Sequence, residues 1–270
     1  MPVNYISVSA ISNSDQLGGI AGICHEVDFT LPLAIGYQVS NKSINQGSQN
    51  TRQPKFADLG YLDRLTRGYG FITAVHYYTK NNETIIGDLE TIVRLGVTPS
   101  VTLLQLNTLP ASLDVLSKIK EMGFTVIFKV AVSNKQSPQE GYAVWKGDKV
   151  EDVSTGQVEP LVGQVIDRRG VIDYAMFDPS HGTNLDLNLD EGCLAVKFGK
   201  SIIANSGLNH LGLVYAGGIK PSNVRPLIRS LLPFFPNRVS IDVESGVRTD
   251  DCLDLDLVRS YLVACKEEMV

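Results

Sequence analysis

Short apolar runs alternate with longer segments of helical periodicity along the whole chain. The first run, residues 5–11, alternates polar and apolar positions as a half-buried β-strand does. The segments between the runs place apolar residues at three- and four-residue spacing, which predicts amphipathic helices. Strands are predicted at residues 5–11, 33–39, 71–77, 101–106, 124–132, 174–177, 211–215 and 239–243.

Eight predicted strands alternating with eight predicted helices favour a parallel sheet, because consecutive parallel strands need a crossover connection. We therefore expect residues 1–270 to form a single (β/α)8 TIM barrel. The alternative, an open doubly wound sheet, usually carries a glycine-rich turn after its first strand, and no G-x-G-x-x-G motif follows Ile11. Two segments depart from the repeat. The polar residues 40–55 predict a long loop after the second strand, and residues 142–150 predict a hairpin inserted after the fifth.

Composition and charge exclude several classes of function. No stretch of the chain has the apolar length of a membrane span, and a net charge of −5 without a basic cluster disfavours a nucleic-acid partner. Residues 1–13 lack the pattern of a signal peptide, and the four cysteines lack metal-ligand spacing. We therefore expect a cytoplasmic protein with reduced cysteines and neither a metal nor a cofactor. The sequence leaves open whether the chain forms a homodimer.

Glycines follow the last two predicted strands directly. Gly217 and Gly218 end the seventh strand, and Ser245 and Gly246 end the eighth. A strand, a glycine turn and a helix start together direct free backbone N–H groups at an anion. Barrels of this type commonly bind phosphate at these two loops. The pair predicts a phosphate-binding site, although each glycine would also suit a tight turn without a ligand.

Residues 216–224 (AGGIKPSNV) and 241–247 (IDVESGV) resemble the last two strands of the phosphoribosylanthranilate isomerase family. That family, from tryptophan biosynthesis, consists of single (β/α)8 barrels with two phosphate-binding loops. Weaker similarity lies at residues 8–12 (VSAIS), at residues 104–107 (LQLN) and around Asp178. The resemblance spans the chain in outline and is strong from Asp178 onward. It implies that a phosphorylated sugar or another phosphoribosyl small molecule binds this chain.

The resemblance also implies catalytic residues for an aldose–ketose isomerisation. Asp178 matches the family's general acid, which protonates the ring oxygen of the sugar. The family's general base is a cysteine, and Ser9 stands in its place. A serine hydroxyl needs an adjacent base to lose its proton, so His76 and His181 are alternative bases. Either histidine could instead be a loop residue without a catalytic role.

Several other residues are candidates for substrate binding. Gln105 and Asn107 match the family's fourth-strand motif, with asparagine in place of histidine. Where the family has an arginine after the second strand, this chain offers only Lys42 and, further along, Arg52. Asp242 is expected to contact the substrate or to serve a structural role inside the barrel.

These departures from the family's motifs predict weak or absent isomerisation of phosphoribosylanthranilate. Two alternatives to an isomerase follow from them. The first is a lyase, epimerase or hydrolase that uses the same phosphate site. The second is a phosphosugar-binding protein without catalytic activity.

Overall fold

Eight parallel strands close into a barrel in the computed structural model, which describes residues 2–47, 50–107, 111–130, 132–133, 142–146, 149–153, 157–178, 194–236 and 238–269. In space the strands follow the order β1-β2-β3-β4-β5-β9-β10-β11, and β11 pairs with β1. The strands, in chain order, are β1 (Ile6–Val8), β2 (Leu33–Ser40), β3 (Ile72–Tyr78), β4 (Thr102–Leu106), β5 (Thr125–Lys129), β6 (Val132–Ser133), β7 (Tyr142–Lys146), β8 (Lys149–Val153), β9 (Tyr174–Phe177), β10 (Gly212–Tyr215), β11 (Val239–Val243), β12 (Arg248–Thr249) and β13 (Cys252–Leu253). The predicted (β/α)8 TIM barrel is confirmed.

Helices connect the barrel strands and cover their outer faces. They are α1 (Ser14–Glu26), α2 (Asn41–Gln46), α3 (Leu59–Gly68), α4 (Ile85–Arg94), α5 (Leu113–Glu121), α6 (Glu159–Ile166), α7 (Leu194–Ala204), α8 (Val224–Leu231) and α9 (Leu255–Met269). The start of α1 has a clear local cause, since the side chain of Asn13 accepts hydrogen bonds from the backbone N–H groups of Asp15 and Gln16.

Two segments were predicted to interrupt the alternation of strands and helices. One of them forms the predicted hairpin, and the other differs from the predicted long loop. The hairpin after the fifth strand is confirmed as β7 and β8, and β6 adds a third antiparallel strand to it. The polar stretch after β2 is not an unbroken loop. Ser40 caps α2 through a reciprocal pair of hydrogen bonds with Ser43, and a short 3-10 turn follows at Phe56–Asp58. This capping box explains why a sequence rich in Asn, Gln and Ser forms a helix here.

Two separate apolar clusters hold the barrel together. The larger cluster lies between the strands and the helices. The smaller one lies inside the barrel, and it consists of Tyr5, Ala34, Ala74, Leu103, Ile127, Tyr174, Met176, Val214 and Ala216. Further along the same strands the inward positions become polar, for example at Ser7, His76 and Gln105. The carboxyl end of the barrel is therefore the place for a polar site.

A glycine allows α3 to pack closely against the end of α4. A Cβ atom on Gly60 would lie 1.8 Å from the carbonyl oxygen of Leu95, so this contact leaves no room for a side chain. We predict that Gly60→Ala lowers the free energy of unfolding by about 1–3 kcal/mol through overpacking. The measurement is urea unfolding.

Gly87 in α4 supplies the matched control, because a Cβ atom there meets nothing within 4 Å. Gly87→Ala should raise the free energy of unfolding by about 0.5–1 kcal/mol, since alanine favours helix more than glycine does. Equal effects of the two substitutions would contradict the close contact at Gly60.

Candidate functional site

A cavity of about 300 Å³ opens at the carboxyl ends of the barrel strands. Five of the barrel strands, or the loops that follow them, contribute its polar or charged side chains, together with Arg52 from the segment after α2. The residues that line it are Gln38, Arg52, Gln105, Asn107, Lys129, Asp178, Ala216, Gly217, Gly218, Ile219, Asp242, Glu244 and Ser245. Most of the residues proposed from sequence therefore meet in one cavity.

The loop after β10 has a backbone conformation that favours glycine. Gly217 and Gly218 have φ angles of +90° and +64°. The side chain of Asn223 fixes the loop, accepting from the backbone N–H of Lys220 at 2.8 Å and donating to the carbonyl of Gly218 at 2.9 Å. The turn is thus held in place just before the start of α8.

The loops after β10 and β11 touch each other through Gly246. A Cβ atom at this position would lie 1.8 Å from the carbonyl oxygen of Ile219. Only a residue without a side chain permits this approach, and the 3-10 turn Ser245–Val247 begins at the contact. The two glycine turns predicted from sequence form one continuous wall of the cavity.

Asp178 forms an ion pair inside the cavity. Its carboxylate lies 2.6 Å from the ammonium nitrogen of Lys129 on β5, and both side chains are largely buried. Sequence reasoning identified Asp178 but missed Lys129. A signal was present in the sequence, because Lys129 is a charged residue that directly follows the apolar residues 126–128 of β5.

Ser9 is fully buried and does not line the cavity. Its hydroxyl donates a 2.5 Å hydrogen bond to the carboxylate of Asp242, and the hydroxyl of Ser7 lies 3.1 Å from that of Ser9. Burial raises the pKa of Asp242, and the charge of the nearby His76 and the hydrogen bonds from the two serines oppose this shift. Ser9, His76 and Asp242 therefore form one buried group, of which Asp242 lines the cavity.

Arg52 reaches the cavity from the polar segment after β2. Its guanidinium lies 2.9 Å from the carboxylate of Glu244 and donates a 2.6 Å hydrogen bond to Asp251. Glu244 lines the cavity together with Asp242, which stands two positions earlier in the chain. Residues two apart along a strand face the same side of the sheet, and Glu244 keeps this direction one residue past the end of β11.

The two remaining amide candidates lie together at the end of β4. The side-chain amide of Gln105 donates to that of Asn107 at 3.0 Å. Gln105 is 4% exposed, and its buried Oε1 atom has no hydrogen-bond partner. A ligand that donates a hydrogen bond would satisfy this oxygen.

Lys42, a candidate from the sequence, does not line this cavity. Lys42 lies instead along a separate groove, which it shares with Tyr78, Lys80 and other residues. The short helix α2 carries it there. His181 lies outside the described residues, so its role stays a prediction.

The part of the chain that the structure describes holds neither a metal-ligand cluster nor a membrane-spanning helix. Among the residues that the structure describes, no group of three or more His, Cys, Asp or Glu side chains could hold a metal ion. In the same part of the chain, no helix combines the length and the apolar character needed to cross a membrane.

Similarity to known proteins is concentrated in the carboxyl-terminal part of the chain. The family model for N-(5'-phosphoribosyl)anthranilate isomerase matches residues 148–264. The enzyme of that name from Lacticaseibacillus casei is 28% identical over 109 residues, which is 40% of this chain and 44% of the relative. The corresponding enzyme from Acetivibrio thermocellus is 29% identical over 70 residues, 26% of this chain and 30% of the relative. The match thus spans less than half the length of these curated relatives.

Structural similarity extends over the whole barrel. A crystal structure of monomers of the dimeric phosphoribosylanthranilate isomerase from Thermotoga maritima superposes with a TM-score of 0.59. It covers 98% of this chain and 100% of the other, at 18% sequence identity. At that identity the likeness shows the fold alone.

Fold and site together define a (β/α)8 barrel with a polar, charge-paired cavity at the carboxyl ends of its strands. Within this class, residues 148–264 are similar to the phosphoribosylanthranilate isomerase family model. That match covers less than half of the chain, and the curated relatives are 28–29% identical over parts of it.

The raised pKa of Asp242 gives a test of the buried group. An unfolded aspartate ionises near about pH 4, whereas the folded state holds its proton to higher pH. The stability that the protonated form contributes is fully present below the unfolded pKa and is lost as pH rises through the folded pKa. We predict that Asp242→Asn gains stability relative to wild type as pH rises from 4 to 8. The gain is about 1.4 kcal/mol for each unit of pKa shift.

Asp254 provides a control of opposite sign in the same urea-unfolding series. A hydrogen bond from Thr249, assisted by the backbone N–H of Leu257, lowers its pKa. The stability that its charge contributes is present above the unfolded pKa and is lost as pH falls, so Asp254→Asn should lose stability relative to wild type as pH rises. A difference between Asp242→Asn and wild type that does not change with pH would contradict the buried group.

Proposed function

We propose that this protein binds a phosphoribosyl amine or a related sugar phosphate and isomerises it from aldose to ketose by acid–base catalysis. One observation carries the proposal: Asp178 and Asp242 line the same cavity as the two touching glycine loops. A phosphate held at the loops would place the attached sugar beside both carboxylates. The similarity of residues 148–264 to the isomerase family model supports the choice of reaction.

The phosphate would bind at the wall formed by Gly217, Gly218, Ser245 and Gly246. Backbone N–H groups at glycine turns before a helix suit an anion, because the turns direct several donors at one point and the helix dipole adds positive potential. Hydrogen bonds to a dianion are charge-assisted and roughly twice as strong as neutral ones. The close contact at Gly246 supports this assignment, since it holds the two sets of donors together.

Asp178 is the general acid in this proposal, and Lys129 positions it. The first step protonates the ring oxygen of the sugar, so that the ring opens to a Schiff base. The ion pair at 2.6 Å fixes the carboxyl group in the cavity. Within the ion pair Asp178 is ionised, so the proton that it delivers to the ring oxygen first passes to it from the ammonium of Lys129, which is left neutral.

Asp242 is the general base in this proposal, in place of the family's cysteine. The second step removes a proton from the carbon next to the Schiff base. Ser9 donates its hydroxyl proton to Asp242 and lies away from the cavity, so it fits a positioning role better than that of a base. A carboxyl group with a raised pKa is a stronger base than an ordinary aspartate.

The phosphate site can be tested at Gly246. We predict that Gly246→Ala weakens binding of ribose 5-phosphate at least about tenfold, because the new Cβ atom must push the two loops apart and misplace their donors. Gly218→Val should act in the same direction, since valine disfavours the φ of +64°. The measurement is titration calorimetry.

Gly87→Ala is the matched control and should bind as wild type does. Circular dichroism shows whether each variant is folded. Folded variants at Gly246 and Gly218 that both bind ribose 5-phosphate as wild type does would place the phosphate elsewhere.

The two carboxylates can be tested by turnover. We predict that Asp178→Asn and Asp242→Asn each lower the rate about a hundred- to ten-thousand-fold, the usual contribution of acid–base catalysis. Ribose 5-phosphate binding should persist in both, because neither side chain holds the phosphate. The measurement is single-turnover isomerisation of phosphoribosylanthranilate, for which we expect wild-type kcat/KM below about 10⁴ M⁻¹s⁻¹.

Asp254→Asn serves as the control, since its carboxylate caps α9 away from the cavity. If Asp178→Asn or Asp242→Asn turns over as fast as this control, that residue has no part in the mechanism.

A further inference from the structure

Both cations that line the described part of the cavity are already paired with carboxylates. Lys129 lies against Asp178, and Arg52 lies against Glu244 and Asp251. A bound phosphate would add further negative charge to this cavity. A second anionic group on the ligand would therefore have to compete with protein carboxylates for Arg52 or Lys129, which carries an energetic cost.

The far side of the cavity offers uncharged amides. In the closed barrel β4 lies four strands from β11, which places it directly across from the Gly246 loop. At the end of β4 stand Gln105 and Asn107, and the Oε1 atom of Gln105 is buried without a partner. An unpaired buried acceptor is costly, and a ligand N–H group would satisfy it.

From this arrangement we infer that the group opposite the phosphate is an uncharged hydrogen-bond donor of the carboxamide class, not a carboxylate. The inference rests on the proposed function, because it assumes that the phosphate lies at the glycine loops. The ligand N–H donates to Gln105 Oε1, and the neighbouring Asn107 amide can pair with the ligand carbonyl. Arg52 stays bound to Glu244 and Asp251. The preference for a carboxamide over a carboxylate therefore needs no rearrangement of these ion pairs.

Two matched probes test the inference. Reductive amination joins ribose 5-phosphate either to 2-aminobenzoate or to 2-aminobenzamide, giving ribityl phosphates that differ only in a carboxylate or a carboxamide. We expect the carboxamide probe to bind the wild-type protein at least about tenfold more tightly in a calorimetric titration. Equal affinities, or tighter binding of the carboxylate probe, would overturn the inference.

Variants assign the preference to particular residues. Gln105→Leu should lower the affinity of the carboxamide probe about tenfold and leave ribose 5-phosphate binding unchanged. Glu244→Gln releases one partner of Arg52 and should improve binding of the carboxylate probe selectively. If neither variant changes the ratio of the two dissociation constants, the inferred contacts are wrong.

Ribose 5-phosphate separates this inference from the proposed function. If ribose 5-phosphate binds and the carboxamide preference is missing, the inference alone fails. If ribose 5-phosphate does not bind at all, the phosphate site fails, and the inference fails with it.

Discussion

Pairing of β1 with β11 closes the barrel, and the rest of the site depends on that closure. The register places Ser7 beside Asp242, and the backbone N–H of Ser9 donates to the carbonyl of Val243 at 2.9 Å. Residues from the two ends of the chain thereby form the hydrogen bond that holds Asp242 toward the cavity. The same closure fixes the loop of Gly246 against the neighbouring turn. Weakening this strand pair would disturb both the proposed base and the proposed phosphate site.

Charge pairing then determines what the cavity can accept. Asp178 is paired with Lys129, Arg52 is paired with two carboxylates, and Asp242 is held by Ser9. Fixed charges and dipoles of this kind need little rearrangement when a substrate binds, which is how barrel enzymes stabilise developing charge. A ligand with one anionic end and one neutral end suits the arrangement better than a ligand with two anionic ends.

The sequence predicted the barrel well and the contacts within its cavity less well. Periodicity and glycine position are local properties, so the eight strands and both glycine turns could be identified directly. The pair of Arg52 and Glu244 joins residues 192 positions apart, and nothing local indicates it. Lys42 lies only two residues after β2, yet it belongs to α2, and this helix places it along another groove. The resemblance suggested a base at Ser9, and only the closed barrel shows that its hydroxyl donates to Asp242.

A crystal structure of the protein with bound ribose 5-phosphate tests the central claim most directly. The account predicts that the phosphate lies within hydrogen-bond distance of the backbone nitrogens of Gly218 and Gly246, with the sugar directed toward Asp178 and Asp242. A phosphate bound in the groove of Lys42 and Lys80, with the cavity empty of ligand, would contradict it.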